Sequence, residues 1–149
     1  MTKKNKINLF VKEDLAGIIE IEDKCHLTPW TKKNFIDSYD ANNLFKVLKS
    51  ENDIIGYYVA LFAYDECELL NITIKPELQK KSFGELMLKD LLSECRKANI
   101  ANIFLEVRKS NLAAIRLYEK KGFNEIGIRN NYYQNRHSKE DAILMGLAI

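Results

Sequence analysis

Apolar positions along this chain recur with two periods, and the elements follow from them. Between Leu69 and Ile74 the period is two. Leu70, Ile72 and Ile74 point one way and Leu69, Asn71 and Thr73 the other, which predicts a strand with one face in the core, ended by Pro76. From Phe83 to Ala98 the period is helical, with Met87, Leu88, Leu91, Leu92, Cys95 and Ala98 on one face and Lys89, Asp90, Glu94 and Lys97 elsewhere. Ile7 to Val11, Leu44 to Lys49 and Ile54 to Tyr64 are strand candidates, the last two joined through SENDI as an antiparallel hairpin. Asp14 to Asp23 sets Leu15, Ile18, Ile19 and Glu22 at helical spacing. Thr31 is placed to cap a second helix through about Tyr39, with Trp30 ahead of it as an apolar staple.

The strand Asn102 to Val107 follows the long helix almost at once, and strand, helix and strand with short connections predict a parallel pair in one sheet. Asn111 can cap a fourth helix to about Lys121, and Gly122 can take the left-handed turn beyond it. Asn124 to Arg129 and Ala142 to Ile149 read as a closing hairpin around a polar, tyrosine-rich loop, NNYYQNRHSKE. The expectation is a mixed α/β chain of about seven strands and about four helices.

Composition narrows the class. The 149 residues, 46% hydrophobic and 10% aromatic, suffice for one domain over 1–149 with a core of its own, which excludes a disordered or fibrous chain. With 23 Lys and Arg against 21 Asp and Glu, the net charge of +2 is too small to demand a nucleic-acid partner. Cys25, Cys67 and Cys95 are odd in number and widely spaced, as in a reduced cytoplasmic protein, and act as small hydrophobes. With His26 and His137 the only histidines and no CxxC pair, no metal site is expected. MTKKNKINLF is basic but runs into VKEDL, so no secretory signal is expected, and no run approaches the roughly 20 apolar residues of a membrane span.

Candidate chemistry gathers in two stretches. Lys80, Lys81, Ser82, Phe83 and Gly84 precede or begin the long helix, where free backbone N–H groups and the positive dipole end favour a phosphate. Ser82 and Glu85 equally form an S-x-x-E capping box, which accounts for both without a ligand. A Walker loop and a GxGxxG fingerprint are absent. Further on, Glu106 shares a strand face with Phe104 near the carboxyl end, where ligands gather in open α/β sheets; the plain alternative is a surface carboxylate paired with Arg108. Tyr118 lies two turns after Asn111 on one helix face, and is otherwise a core aromatic with its hydroxyl at the boundary.

QKKSFG after an alternating strand, then LEVRKSNLAAIRLYEKKGF, RNNYY and EDAILM, resembles the GCN5-related N-acetyltransferase superfamily. Within it the chain is most similar to a bacterial branch that acetylates the N-terminal alanine of a ribosomal protein. The similarity covers nearly the whole chain, HLTPW included, and N-x-x-A-x-x-L-Y-x-x-x-G-F is a specific block. The resemblance implies six or seven mostly antiparallel strands splayed between the fourth and fifth, with acetyl-CoA as cosubstrate in the gap. It assigns Ile72, Thr73 and Ile74 to the pantetheine arm and to an oxyanion, Gln79 to Gly84 to the pyrophosphate, and Asn111 to the same ligand. Glu106 becomes the general base, alone or through a water, its carboxyl tuned upward by partial burial, and Tyr118 the acid that protonates the departing thiolate.

The same resemblance nominates Trp30 and Tyr133 for the peptide, with Tyr132 and His26 behind them; for Trp30 the staple remains an equal account. Glu140 and Asp141 resemble a family pair that either meets the amine or holds the hairpin. The family pattern Q/R-x-x-G-x-G/A is broken by Ser82 at its first glycine, which costs roughly 1 kcal/mol or more if the position is left-handed. Two other functions stay open: acetylation of a small amine such as a polyamine or aminoglycoside, and a non-catalytic acyl-CoA-binding module. A monomer or weak dimer is expected, with no nucleic-acid and no membrane partner.

Overall fold

The computed structural model describes residues 4–149, so the first three residues of the basic N-terminal stretch lie outside it. Seven strands form one sheet: β1 (Asn5–Leu9), β2 (Leu44–Ser50), β3 (Asp53–Ala63), β4 (Glu66–Ile74), β5 (Asn102–Arg108), β6 (Asn124–Gln134) and β7 (Lys139–Ala148). Four α-helices, α1 (Leu15–Cys25), α2 (Lys32–Asp40), α3 (Phe83–Lys97) and α4 (Leu112–Lys120), pack on its two faces. The strand order is β1-β2-β3-β4-β5-β7-β6, antiparallel except for the β4–β5 pair that flanks α3. No helix among the described residues is long and apolar enough to cross a membrane.

β3 is the spine. Its residues Ile55 to Ala60 are buried on both faces, so adjacent tyrosines serve opposite cores. Tyr57 belongs to the cluster of Ile18, Ile21, Phe35 and Phe45 under α1 and α2, and Tyr58 to the cluster of Leu88, Leu91 and Ile103 under α3. Each hydroxyl donates to a carboxylate, Tyr57 to Glu22 at 2.6 Å and Tyr58 to Asp90 at 2.7 Å, so both phenols are buried with a partner.

The simple alternation expected for β4 does not run its full length. Its pairing with β3 skips Leu70: Val59 faces Asn71 and Ala60 faces Leu69. A bulge of this kind lays two neighbouring residues on one side and inverts the phase beyond. Cys67 and Leu69 pack with α3, and so do Ile72 and Ile74, whereas Leu70 joins the α1 cluster and Asn71 and Thr73 are buried on that side too. The two polar residues are therefore more buried than Ile72 and Ile74.

Elsewhere the departures are local. β1 begins and ends two residues earlier than Ile7 to Val11, because Val11 turns into a short 3-10 segment, Lys12–Asp14. The tyrosine-rich stretch is loop only in part: β6 runs to Gln134, with Asn131 at φ 52° beside a register shift between Arg129 and Tyr133, and residues 135–138 form the turn, where Asn135 Oδ1 accepts from Arg136 N–H at 2.8 Å. Trp30 and Thr31 do what was expected of them. Thr31 and Asn34 bond reciprocally as a capping box, and Trp30 stacks on Phe35 with centroids 5.1 Å apart, the staple across the α2 start.

Candidate active site

The β4–β5 ladder pairs Glu66 with Asn102 and stops at Leu69 and Leu105. The bulge at Leu70 turns β4 away just there, and the two strands splay. Two cavities fill the wedge, one of about 710 Å³ against α3 and α4 and one of about 190 Å³ against the loop after α1. His26, Ile72, Arg108, Asn111 and Tyr118 line both, so the cavities adjoin at these five residues.

Ile72, Thr73, Ile74, Gln79, Lys80, Ser82, Gly84 and Asn111 line the larger cavity. Past Leu69 the β4 edge has no strand beside it, so its backbone can take ladder bonds from an extended polyamide ligand. The first helical bond of α3 runs from Leu86 N–H to the Ser82 carbonyl at 3.1 Å, which leaves the N–H groups of Phe83, Gly84 and Glu85 pointing out of the helix end. Ser82 sits at φ 68° and Lys80 at φ 62°, and a left-handed residue followed by right-handed ones turns successive N–H groups into an anion-binding concavity. An opened backbone edge leading to such a concavity suits the amide arm and the phosphates of acetyl-CoA. Gln79 is partly engaged already, its amide donating to the Ile74 carbonyl at 3.0 Å.

The capping box of Ser82 and Glu85 does not form. Ser82 makes no side-chain cap bond, because its left-handed backbone aims the hydroxyl away from the helix start. Glu85 instead accepts from Lys121 at 2.7 Å and Lys120 at 3.2 Å, and these two cations hold its carboxyl below the usual range. Asn111 does cap α4, its Oδ1 accepting from Ala114 N–H at 3.2 Å.

Glu106, Tyr118, Trp30 and Tyr133 line the smaller cavity together. Glu106 stands where the ladder has just ended, and its partner is Arg129 of β6, not Arg108: Arg129 donates to Oε1 at 2.8 Å and lies 3.9 Å from the centre of the Tyr132 ring. No protein donor among the described residues reaches Oε2, which is left for a ligand. Burial pushes the Tyr118 phenol well above its ordinary range, with nearby Tyr133 adding to it, and the hydroxyl has no hydrogen-bond partner among the described residues. Burial, then Glu106, also raises Tyr133, to about 12.

Arg108 ties this wall together. It donates to Glu140 at 2.9 Å, to the Gln134 carbonyl at 2.8 Å and to Thr28 at 3.1 Å, and lies 4.6 Å from the centre of the Tyr133 ring. Burial works against ionised Glu140, but Arg108 and the Ser110 N–H outweigh it and hold the carboxyl below its ordinary range. Asp141 accepts from Asn131 N–H at 2.9 Å inside the hairpin, whereas Glu140 ties β7 to Arg108 and to the Ser110 N–H. Sequence reasoning missed two members of the site. Arg129 carries no motif, and its reach to Glu106 across β7 exists only in the sheet. Glu22, at the base of the smaller cavity, had a signal: an acidic residue at a core position of α1.

The model of the acetyltransferase (GNAT) family matches residues 15–123. The chain is 37% identical over 145 residues, 97% of its length and 98% of the relative's, to the [ribosomal protein bS18]-alanine N-acetyltransferase of Escherichia coli, and 36% identical over the same span to that of Salmonella typhimurium. The crystal structure of the E. coli ribosomal-protein-S18-alanine N-acetyltransferase superposes with a TM-score of 0.93, covering 98% of this chain and 94% of that one at 37% identity. A putative acetyltransferase of Salmonella typhimurium, solved with its cofactor acetyl-CoA, shares the fold at a TM-score of 0.82 and 20% identity over 97% of this chain and 93% of that one.

Proposed function

The chain belongs to the acetyltransferase (GNAT) family, and from that premise we propose that it acetylates the α-amine of a protein beginning with alanine, a small-subunit ribosomal protein. Acetyl-CoA is the cosubstrate and supplies the thioester. The observation that carries this reading is that the two cavities share Tyr118 among their lining residues, with Glu106 lining the smaller one. The larger cavity, with the free β4 edge and the concave N–H groups before α3, takes the cofactor arm and its pyrophosphate. The smaller one, between Trp30 and Tyr133, takes the peptide end.

An α-amine with a pKa near 7.7–8.0 arrives mostly protonated and must lose that proton before it attacks. Glu106 takes it, directly or through one water, by the Oε2 that Arg129 leaves free. Backbone N–H groups at Ile72 to Ile74 lie along the cavity where an oxyanion would form. Tyr118 returns a proton to the departing thiolate, its phenol being protonated at neutral pH.

The test is CoA release by purified protein given acetyl-CoA with an Ala-initiated peptide, a polyamine or an aminoglycoside. The peptide is expected to be the preferred acceptor. Preference for either small amine overturns the substrate assignment, and acetyl-CoA binding without release to any amine leaves only a binding module.

A further inference from the structure

Glu22 lines the smaller cavity with 1% of its surface exposed, yet the chemistry above gives it no task. Every partner it has is a donor. The Tyr57 hydroxyl at 2.6 Å and Asn71 Nδ2 at 3.0 Å bond Oε1, the backbone N–H of Trp30 bonds Oε2 at 2.9 Å, and His26 Nε2 stands 3.6 Å from Oε1. Burying a carboxylate is costly, and an apolar residue of similar size often stabilises such a position as well or better, so stability alone does not explain it.

The bonds around it have a fixed direction. Asn71 donates its amide to Glu22, so its Oδ1 is an acceptor, and it takes the only hydroxyl proton of Thr73 at 2.7 Å. Thr73 Oγ1 must then accept from His26, which makes His26 Nε2 the protonated nitrogen of that 2.8 Å bond. The loop between α1 and α2 is thereby pinned at His26 through Thr73, at Thr28 through Arg108, and at Trp30 through Glu22. Of the three, only the last is made by a backbone group, and it holds the backbone that carries the Trp30 ring, which rests on Phe35.

We propose that Glu22 is a positioning residue for the acceptor peptide: its Oε2 anchors the Trp30 backbone and so fixes the wall against which the first residues of the peptide rest. This rests on the peptide-acetyltransferase reading and deepens it. The Trp30 N–H cannot reverse, whereas the side-chain partners can. Glu22→Gln therefore still offers an amide oxygen to Trp30, with its NH₂ turned to the Tyr57 oxygen and to a turned-over Asn71. Glu22→Met offers nothing.

Steady-state kinetics with an Ala-initiated peptide and acetyl-CoA, together with hydrogen exchange at the Trp30 amide, test the proposal. Glu22→Met is expected to raise the peptide KM at least tenfold while the acetyl-CoA KM stays within twofold, and Glu22→Gln to hold the peptide KM within threefold of wild type. In the native protein the Trp30 amide is expected to exchange at least tenfold more slowly than that of Leu27. A peptide KM unmoved by Glu22→Met overturns the anchor. An equal loss in Met and Gln variants overturns it in favour of an attraction between the Glu22 charge and the substrate ammonium. Should Glu22→Met fail to fold, fast exchange at Trp30 in the native protein overturns the anchor by itself. If the native protein turns over no peptide, the substrate reading fails separately, and the exchange rates still decide whether Glu22 holds the loop.

Discussion

At the scale of single residues, Ser82 stands where the loop pattern named above has its first glycine, and its φ of 68° puts the cost in the backbone. A non-glycine residue held left-handed costs about 1–2 kcal/mol, partly offset by the smaller unfolded-state entropy it retains compared with glycine. Ser82→Gly is therefore expected to raise the unfolding free energy by up to about 1 kcal/mol and to bind acetyl-CoA at least as tightly, as thermal unfolding and calorimetry would read. Two further substitutions separate proton transfers. Glu106→Gln should lower kcat by about 10²–10⁴-fold. Tyr118→Phe should lower it by about 10–100-fold, because a thiolate is a tolerable leaving group, with acetyl-CoA affinity unchanged in binding measurements. Glu106, Asn111 and Tyr118 were legible through the family resemblance, since strand alternation and helical spacing alone left each an ordinary structural account. The Glu106–Arg129 pair was not, since it joins strands that become near neighbours only once β7 lies between them.

At the scale of elements, the helix ends were legible except at the start of α3, where Ser82 makes no cap bond, and the phase of β4 was not. Thr31, Asn111 and Gly122 act within a few residues of themselves, so local chemistry decides them. A bulge depends on the partner strand: nothing between Leu69 and Asn71 announces that β3 will pass over Leu70. Two alternating runs of apolar residues fit a straight strand as well as a bulged one. Gly56 marks how closely the two strands then approach, since a Cβ there would lie 2.5 Å from the Thr73 carbonyl oxygen and 2.7 Å from Ile74 Cδ1. Gly56→Ala must push the cavity-lining half of β4 outward. We expect it to cost about 1–3 kcal/mol in chemical denaturation and to weaken acetyl-CoA binding, whereas an alanine at Gly127, where the nearest atoms are about 4 Å away, should do neither.

At the scale of the whole molecule, the two cores meet across a sheet whose strand β3 carries Tyr57 and Tyr58, and α4 adds Tyr118. Burial raises all three phenols, and the carboxylates of Glu22 and Asp90 add to it for the first two. A group whose folded pKa is raised contributes its full stability below the unfolded value, near 10 for tyrosine, and loses it as pH climbs toward the folded value. Alkaline unfolding is thus expected to set in above pH of about 10, with each phenol removing about 1.4 kcal/mol per pH unit. A titration of circular dichroism beside tyrosinate absorbance should show both changing together.

The early end of the β4–β5 ladder, at Leu69 and Leu105, leaves one edge of this sheet facing a cavity, with no strand of the chain to complete it. A ligand can, so occupancy and folding draw on the same free energy. A ligand held at a hundred times its Kd adds about 2.7 kcal/mol to the unfolding free energy, as much as a Gly56→Ala change would remove. A weakened variant that melts when purified alone would then persist in a cell rich in acetyl-CoA and decline in a starved one. For such variants, metabolic state would be written in the amount of protein before it is written in the rate of acetylation.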